Sequence, residues 1–213
     1  MKTIILTLIA AFLSVSLNSQ TGIDKKAQTI LDEVSQKTKA YKTMSIDFTY
    51  TMQHKANNIN QSKKGSVLIK GDKFRMSMAG QIVIFDGTAI YTYIEDADEV
   101  QINSPTEESI NPSQLLTGYD KDYKSKFIRE ETSGGVVYQI IDLTPAKQSK
   151  AIARVRLKIN KTKKQIASST LFDKDGSTYT YLVDKFIVDT PIAETQFAFK
   201  KSDFPGAKII DMR

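Results

Sequence analysis

Residues 82–93 read Ile-Val-Ile-Phe-Asp-Gly-Thr-Ala-Ile-Tyr-Thr-Tyr, two apolar runs separated by the pair Asp86-Gly87. Asp-Gly between hydrophobic runs signals a hairpin, because a tight two-residue turn needs positive φ and glycine adopts it without strain. Just upstream, Lys73-Phe74-Arg75-Met76-Ser77-Met78 alternates polar with apolar. Ile82, Ile84, Ile90, Tyr91, Tyr93 and Ile94 occupy both parities of the hairpin strands. That is more apolar side chain than one covered sheet face requires. Such a sheet is either covered by a second layer or holds an apolar ligand.

Outward from this hairpin the chain is dominated by period two. Ile46–Met52 and Arg154–Asn160 alternate without error, which marks antiparallel strands with one dry and one wet face. Turn signals recur at Asn57-Asn58, Gly71-Asp72, Asp86-Gly87, Gly134-Gly135, Asn160-Lys161 and Asp175-Gly176. Further strands are expected at Gly65–Lys70, Glu99–Asn103, Val136–Leu143, Gln165–Phe172, Thr178–Val183 and Phe186–Val188. About ten strands with hairpin-length turns make a large meander that curls or closes. Ahead of them, Ala27, Ile30, Leu31, Val34, Thr38 and Tyr41 fall at helical spacing, with lysines and acids between them. The spacing predicts an amphipathic helix from Asp24 to Tyr41, with Thr21 and Asp24 as its cap and one face buried against the sheet. The fold class is therefore α+β, mainly β.

Lys2 and the uncharged run Thr3–Leu17, followed by Asn18-Ser19-Gln20, have the pattern of a signal peptide cleaved near residues 19–20. This assigns 1–20 to a leader and 21–213 to a single exported domain. Cysteine is absent, so disulfides and thiolate chemistry are excluded, and the chain carries no lipid on a cysteine of its own. The formal charge of +6 falls to +5 without Lys2. Basic residues are interspersed with acids, there is no Trp, and no basic-aromatic motif appears, so nucleic acid is not an expected partner.

Catalytic chemistry finds little support. One histidine and no cysteine exclude Cys/His zinc sites and Cys–His nucleophiles. His54 belongs to a polar turn, and no Gly-x-Ser-x-Gly elbow accompanies it. Asp173-Lys174-Asp175-Gly176 begins like a calcium loop but lacks the glutamate at the twelfth position; a hairpin turn explains it. Glu107-Glu108 and Glu130-Glu131 lie in polar stretches with nothing to raise a carboxyl pKa. No metal, cofactor or catalytic residue is expected.

The positive signal is apolar. Phe48, Tyr50, Met52, Val67, Ile69, Phe74, Met76, Met78, Ile82, Ile84, Tyr91 and Tyr93 form the candidate inward set. Methionine adapts to irregular neighbours, so this set reads either as ordinary core or as an adaptable binding surface. Between strands, Ser104–Lys126 is a long insertion in which Ser109–Thr117 offers Ile110, Leu115 and Leu116 on one side of a short helix. It is either a lid or simple cover.

The ordered motifs resemble the LolA-type periplasmic lipoprotein carriers from the helix to nearly the last residue. The helix leads into Met44-Ser45-Ile46-Asp47-Phe48-Thr49; Gly65–Lys70 runs into Lys73-Phe74-Arg75-Met76, like the family's Phe-x-Trp strand; Ile84–Tyr93 resembles its Ser-Asp-Gly hairpin. Thr195-Gln196-Phe197-Ala198-Phe199 and Phe204-Pro205-Gly206-Ala207 resemble its closing Phe-x-Phe and Pro-Gly elements. The resemblance implies a half-open antiparallel β-barrel of ten to eleven strands, covered by the N-terminal helix and short lid helices around a hydrophobic cavity.

The same resemblance implies a monomeric, non-enzymatic carrier that takes the acyl chains of lipoproteins from an inner-membrane ABC-type transporter to the outer membrane, where a receptor is a further possible partner. It turns the inward set, with Leu115 and Leu116 of the lid, into acyl-chain contacts, and the Ile82, Ile84, Tyr91, Tyr93 face into the inner one. The family's Arg-Pro pair before the cavity aromatic is absent, since Lys70-Gly71-Asp72-Lys73 stands there; its closing latch is not carried over. A carrier of glycolipid or fatty acid, or a lipoprotein-sensing regulatory domain, is the alternative.

Overall fold

The computed structural model describes residues 24–106, 112, 123–147 and 151–213. The leader at 1–20, and Leu115 and Leu116 of the expected lid, lie outside the described residues. The helix α1 (Lys25–Ala40) precedes β1 (Thr43–His54), β2 (Ile59–Lys70), β3 (Lys73–Met78), β4 (Gln81–Phe85), β5 (Ile90–Ile94) and β6 (Glu99–Asn103). After the insertion come β7 (Tyr123–Ser133), β8 (Val136–Pro145), β9 (Ile152–Asn160), β10 (Gln165–Asp173), β11 (Ser177–Val188) and β12 (Lys208–Asp211). The strands form one sheet in the order β12-β6-β5-β4-β3-β2-β1-β11-β10-β9-β8-β7. It curls without closing, so β12 and β7 are its two edges.

Two meanders, β1–β6 and β7–β11, are joined where β1 pairs antiparallel with β11. Tight two-residue turns close β2–β3 at Gly71-Asp72, β3–β4 at Ala79-Gly80 and β7–β8 at Gly134-Gly135. In the last two, both residues have positive φ, the conformation whose twist matches that of the flanking strands. The sequence reading missed two strands. The charged strand β7 alternates half-buried Tyr123, Ser125 and Phe127 with exposed Lys124 and Lys126. The short strand β12 adds parallel to β6, a pairing that no local turn announces.

Asp24 is the N-cap of α1, and Thr21, its expected partner in the cap, lies outside the described residues. The Asp24 carboxylate accepts the Ala27 N–H at 3.0 Å through Oδ1 and the Phe127 N–H of β7 at 2.8 Å through Oδ2. One side chain therefore caps the helix and ties it to the sheet edge. The apolar stripe Ala27, Ile30, Leu31 and Val34 packs on Ile141, Leu143, Val155, Leu157, Ile159 and Ile166 of β8–β10. Burying side chains of this size contributes about 1.5–3 kcal/mol each, so the stripe fixes which sheet face is covered.

The ladders sort every strand residue onto one of two faces. We call the face that carries α1 the inner face. Its β1–β4 half bears Met44, Ile46, Phe48, Val67, Ile69 and Phe74, a second buried cluster. A third cluster, Ile84 and Val100 with Phe204 and Ala207, lies on the opposite, outer face beneath the C-terminal segment.

The Asp24 contact yields a direct expectation. Asp24→Ala leaves two backbone N–H groups without their acceptor and should lower stability by about 1–2 kcal/mol, read as an earlier midpoint in urea unfolding. The Ala27 N–H, against the cost of burial, holds the Asp24 carboxyl below its ordinary value, helped by the Phe127 N–H. Its contribution is thus present above the ordinary carboxylate pKa and is lost as pH falls through the lowered one.

Candidate functional site

The inner face of β1–β4 and β11 grades from dry to half-buried. At the start of β1, Met44, Ile46, Val67 and Ile69 are buried, and Phe74 lies against Phe85 with ring centroids 5.8 Å apart. Toward the far end of β1, Tyr50, Met52, Met76 and Met78 are only half-buried. Here β11 adds aromatic side chains: Tyr181 lies 6.0 Å from Phe48 and 5.2 Å from Tyr50, and Tyr179 stacks on Tyr50 at 6.4 Å. Burial pushes the phenols of Tyr50 and Tyr181 above their ordinary pKa, so both are neutral hydroxyls at the rim of an apolar surface. Tyr181 remains 36% exposed. Flexible methionines beside aromatic rings form a surface that can repack around an irregular apolar ligand.

Phe48 sits over a gap left by glycine. It pairs across the ladder with Gly65, where an added Cβ would stand 2.5 Å from Phe48 Cζ and 2.7 Å from Cε2. The ring therefore occupies the place of a side chain on β2. On the other side of β1, Asp184 is the extra residue of a register shift that sets Asp47 opposite Lys185 and Phe48 opposite Val183. Thr49 Oγ1 donates to Asp184 Oδ2 at 2.7 Å. A cleft of about 530 Å³ opens there on the outer face, lined by Asp47, Thr49, Lys64, Ser66, Ser77, Asp184 and Lys185, with Phe48 and Gly65 also contributing. Its charged lining does not suit an acyl chain.

Eight of the sequence-selected residues, Phe48, Tyr50, Met52, Val67, Ile69, Phe74, Met76 and Met78, share the inner face. Ile82, Ile84, Tyr91 and Tyr93 do not. Phe74 pairs with Phe85 and Met76 with Val83, which puts Ile84 opposite Arg75 and Ile82 opposite Ser77. Tyr91 and Tyr93 follow Ile84 and Ile82 onto the outer face. There Tyr91 stacks on Phe199 at 4.8 Å, and Tyr93 meets Phe204 at 4.8 Å. The expectation that this face is the inner one is corrected, because a one-residue offset in strand parity exchanges the two faces. The inner residues of the hairpin are instead Val83 and Phe85.

The Asp86-Gly87 turn also differs from the expected two-residue form. Phe85 pairs with Ile90, leaving a four-residue loop organised by one carboxylate. Asp86 Oδ1 accepts from the N–H and hydroxyl of Thr88, each at 2.8 Å, and from the Ala89 N–H at 2.9 Å; Oδ2 accepts from the Tyr91 hydroxyl at 3.1 Å. Burial opposes the Asp86 charge, yet the Ala89 and Thr88 donors with Tyr91 hold its carboxyl below the ordinary value.

Tyr179, Tyr181, Val83, Phe85 and Phe186 of the inner surface were missing from the sequence-derived set. Their alternation was readable, but only the pairing of β1 with β11 brings Tyr179 and Tyr181 to Tyr50. His54 ends β1, where its Nδ1 accepts the Asn57 N–H at 3.2 Å. Asp175 Oδ1 accepts the Ser177 N–H at 2.7 Å in the β10–β11 turn. Among the described residues, no group of three His, Asp or Glu side chains is placed to hold a metal ion. Lys70 and Lys73, flanking the β2–β3 turn, both reach Glu194 of the C-terminal segment, at 2.7 and 3.0 Å.

A curled, open sheet with a helix on one half of its inner face and half-buried apolar side chains on the other defines an open half-barrel fold. The chain belongs to the LolA family: the model described as outer membrane lipoprotein carrier protein LolA matches residues 39–200. It is 24% identical over 202 residues to the outer-membrane lipoprotein carrier protein of Coxiella burnetii strain CbuK_Q154, covering 92% of this chain and 94% of that one. The protein of that name from strain RSA 493 is 25% identical over the same shares of each chain. Among solved structures, an uncharacterized conserved protein of Thermus thermophilus superposes with a TM-score of 0.57 at 15% identity, over 88% of this chain and 99% of that one.

Gly65→Ala forces the Phe48 ring out of its seat and should cost about 1–3 kcal/mol in thermal unfolding; Phe48→Leu in the same chain should recover part of that loss. For Asp86, the sign follows from its lowered pKa. Its stabilisation is present above the ordinary carboxylate value and disappears as pH falls through the lowered one. Asp86→Asn should therefore flatten the acid limb of the stability–pH curve, measured by urea unfolding between roughly pH 5 and pH 2.

Proposed function

We propose that this protein is an exported periplasmic carrier that shields the acyl chains of lipoproteins on its inner face between the inner and outer membranes. The observation that carries the reading is the half-buried group Tyr50, Met52, Met76, Met78, Tyr179 and Tyr181, continuous with the buried cluster around Phe48, Val67, Ile69 and Phe74, in a chain of the LolA family. Each methylene removed from water contributes roughly 0.8 kcal/mol, so a chain of about sixteen carbons offers on the order of 12 kcal/mol before ordering costs. Half-burial leaves part of that energy unrealised. A ligand held this way can still leave, which a shuttle requires and a permanent store does not.

In this reading no bond is made or broken by the protein. Met76 and Met78 adapt to the chain, and Phe48 and Phe74 form the floor; Leu115 and Leu116 are proposed as acyl-chain contacts on the family resemblance alone. The neutral hydroxyls of Tyr50 and Tyr181 lie where an acyl chain gives way to the polar part of its lipoprotein. An inner-membrane ABC-type lipoprotein-releasing transporter is the proposed donor, with delivery at the outer membrane.

The test is a double substitution, Met76→Glu with Met78→Glu, at positions exposed enough to leave the fold intact. It should weaken displacement of a fluorescent acyl probe by roughly a hundredfold, as expected for losing about four methylene contacts. Unchanged probe affinity in a folded variant would sink the assignment. Mass spectrometry of material co-purified from the native cell separates the cargo classes: a lipidated protein supports the proposal, whereas glycolipid or free fatty acid alone overturns its lipoprotein part.

A further inference from the structure

The outer face of β7–β9 carries a cation array that the carrier surface does not use. On β9, Arg154, Arg156 and Lys158 point to this face, and on β7 so do Lys124, Lys126 and Arg129. The ladders align them across β8: Lys126, Asp142 and Arg156 share one row, and Arg129, Ile140 and Lys158 the next. Strand spacing puts the two columns about 10 Å apart, with about 7 Å between neighbours along each strand.

Two carboxylates sit inside the array, and each is shared by two cations. Asp142 accepts from Arg156 Nε at 2.7 Å and Nη2 at 2.8 Å, and from Arg154 Nη1 at 3.0 Å. Glu131 pairs with Arg129 at 2.8 Å and with Lys158 at 3.0 Å. Six cations against two carboxylates leave a surplus of four, in a chain whose whole formal charge is +6. The array is stiff as well as charged. Arg154 lies 4.1 Å over the Phe172 ring and Lys158 4.3 Å over that of Tyr138. On the neighbouring strands the row continues through the paired hydroxyls of Thr170 and Thr180, which carry no charge.

We infer that this face docks the protein peripherally on an anionic lipid surface. A shape-specific protein partner would be met by a pocket or an apolar anchor at the centre of the patch. Of the exposed large hydrophobics among the described residues, Tyr181, Ile209 and Met212 lie elsewhere, and Leu182 stands on this face two strands beyond Lys158, at the edge of the array and not at its centre. A regular spread of cations without an anchor suits headgroups that rearrange to meet it, and such binding is salt-reversible. It is separate from acyl-chain binding, which uses the opposite face of the sheet.

The experiment is flotation of the purified full chain with vesicles of phosphatidylglycerol and phosphatidylcholine, against phosphatidylcholine alone. At about 0.05 M salt the anionic vesicles should bind at least tenfold more protein than the neutral ones, and about 0.5 M salt should abolish the difference. The Lys124→Glu, Lys126→Glu variant should lose at least tenfold in apparent affinity. Lys200→Glu with Lys201→Glu, an equal charge change on exposed residues of the C-terminal segment, should lose less than threefold. Equal binding to both vesicles, no binding, or equal loss in the two variants overturns the inference. The Met76→Glu, Met78→Glu variant should keep full vesicle binding, so a failure of the carrier reading is distinguishable from a failure of this one.

Discussion

The antiparallel pairing of β1 with β11 joins two meanders that would otherwise be separate sheets. It aligns Met44 with Val188, Tyr50 with Tyr181 and Met52 with Tyr179, residues more than a hundred positions apart in the chain. Closing so long a loop carries an entropic cost that local turns do not. The return comes from stacked aromatic rings and from continuity of one dry face across both halves. The extra residue Asp184 interrupts the ladder between Asp47 and Phe48. Bulges of this kind bend and twist a strand, and this one lies at the seam between the two meanders.

The two halves then cover their inner faces differently. On β8–β10 the stripe of α1 completes an ordinary core, with Ile141, Leu143, Leu157 and Ile159 wholly buried. On β1–β4 the α1 stripe does not reach, and burial fades from Ile69 and Phe74 to Met76, Met78 and Tyr50. On the outer face, Phe199, Phe204 and Ala207 of the C-terminal segment cover Ile82, Ile84, Tyr91, Tyr93 and Val100 of β4–β6. The half-buried residues Tyr50, Met52, Met76 and Met78 therefore stand on the inner side of the curled sheet, beyond the reach of the α1 stripe.

How legible this was differs from element to element. The helix was readable from Ala27, Ile30, Leu31 and Val34, because helical period and burial coincide there. Most strands were readable from clean alternation, as in Ile46–Met52. The hairpin 82–93 shows the limit. Both of its parities are apolar, so the pattern contains two complete candidate faces, and nothing local says which of them joins Phe74. The pairing of Phe74 with Phe85 decides it in favour of Val83 and Phe85. The strand β7 was obscured by its charges, of which Lys124, Lys126, Arg129 and Glu131 are the outer half of an alternating pattern interrupted by a bulge after Phe127.

By itself, then, the sequence determined most element types, the mainly β class with a covering N-terminal helix, the lack of cysteine beside a single histidine and an excess of apolar strand surface. Those are properties of local periodicity and composition. Tertiary structure alone decided which apolar set faces inward, that Tyr179 and Tyr181 join it, and that Ile82, Ile84, Tyr91 and Tyr93 pack beneath the C-terminal segment. The physical reason is that side-chain parity within a strand is local, whereas register between strands is set by partners far away in the chain, and a shift of one residue exchanges the two faces of a sheet.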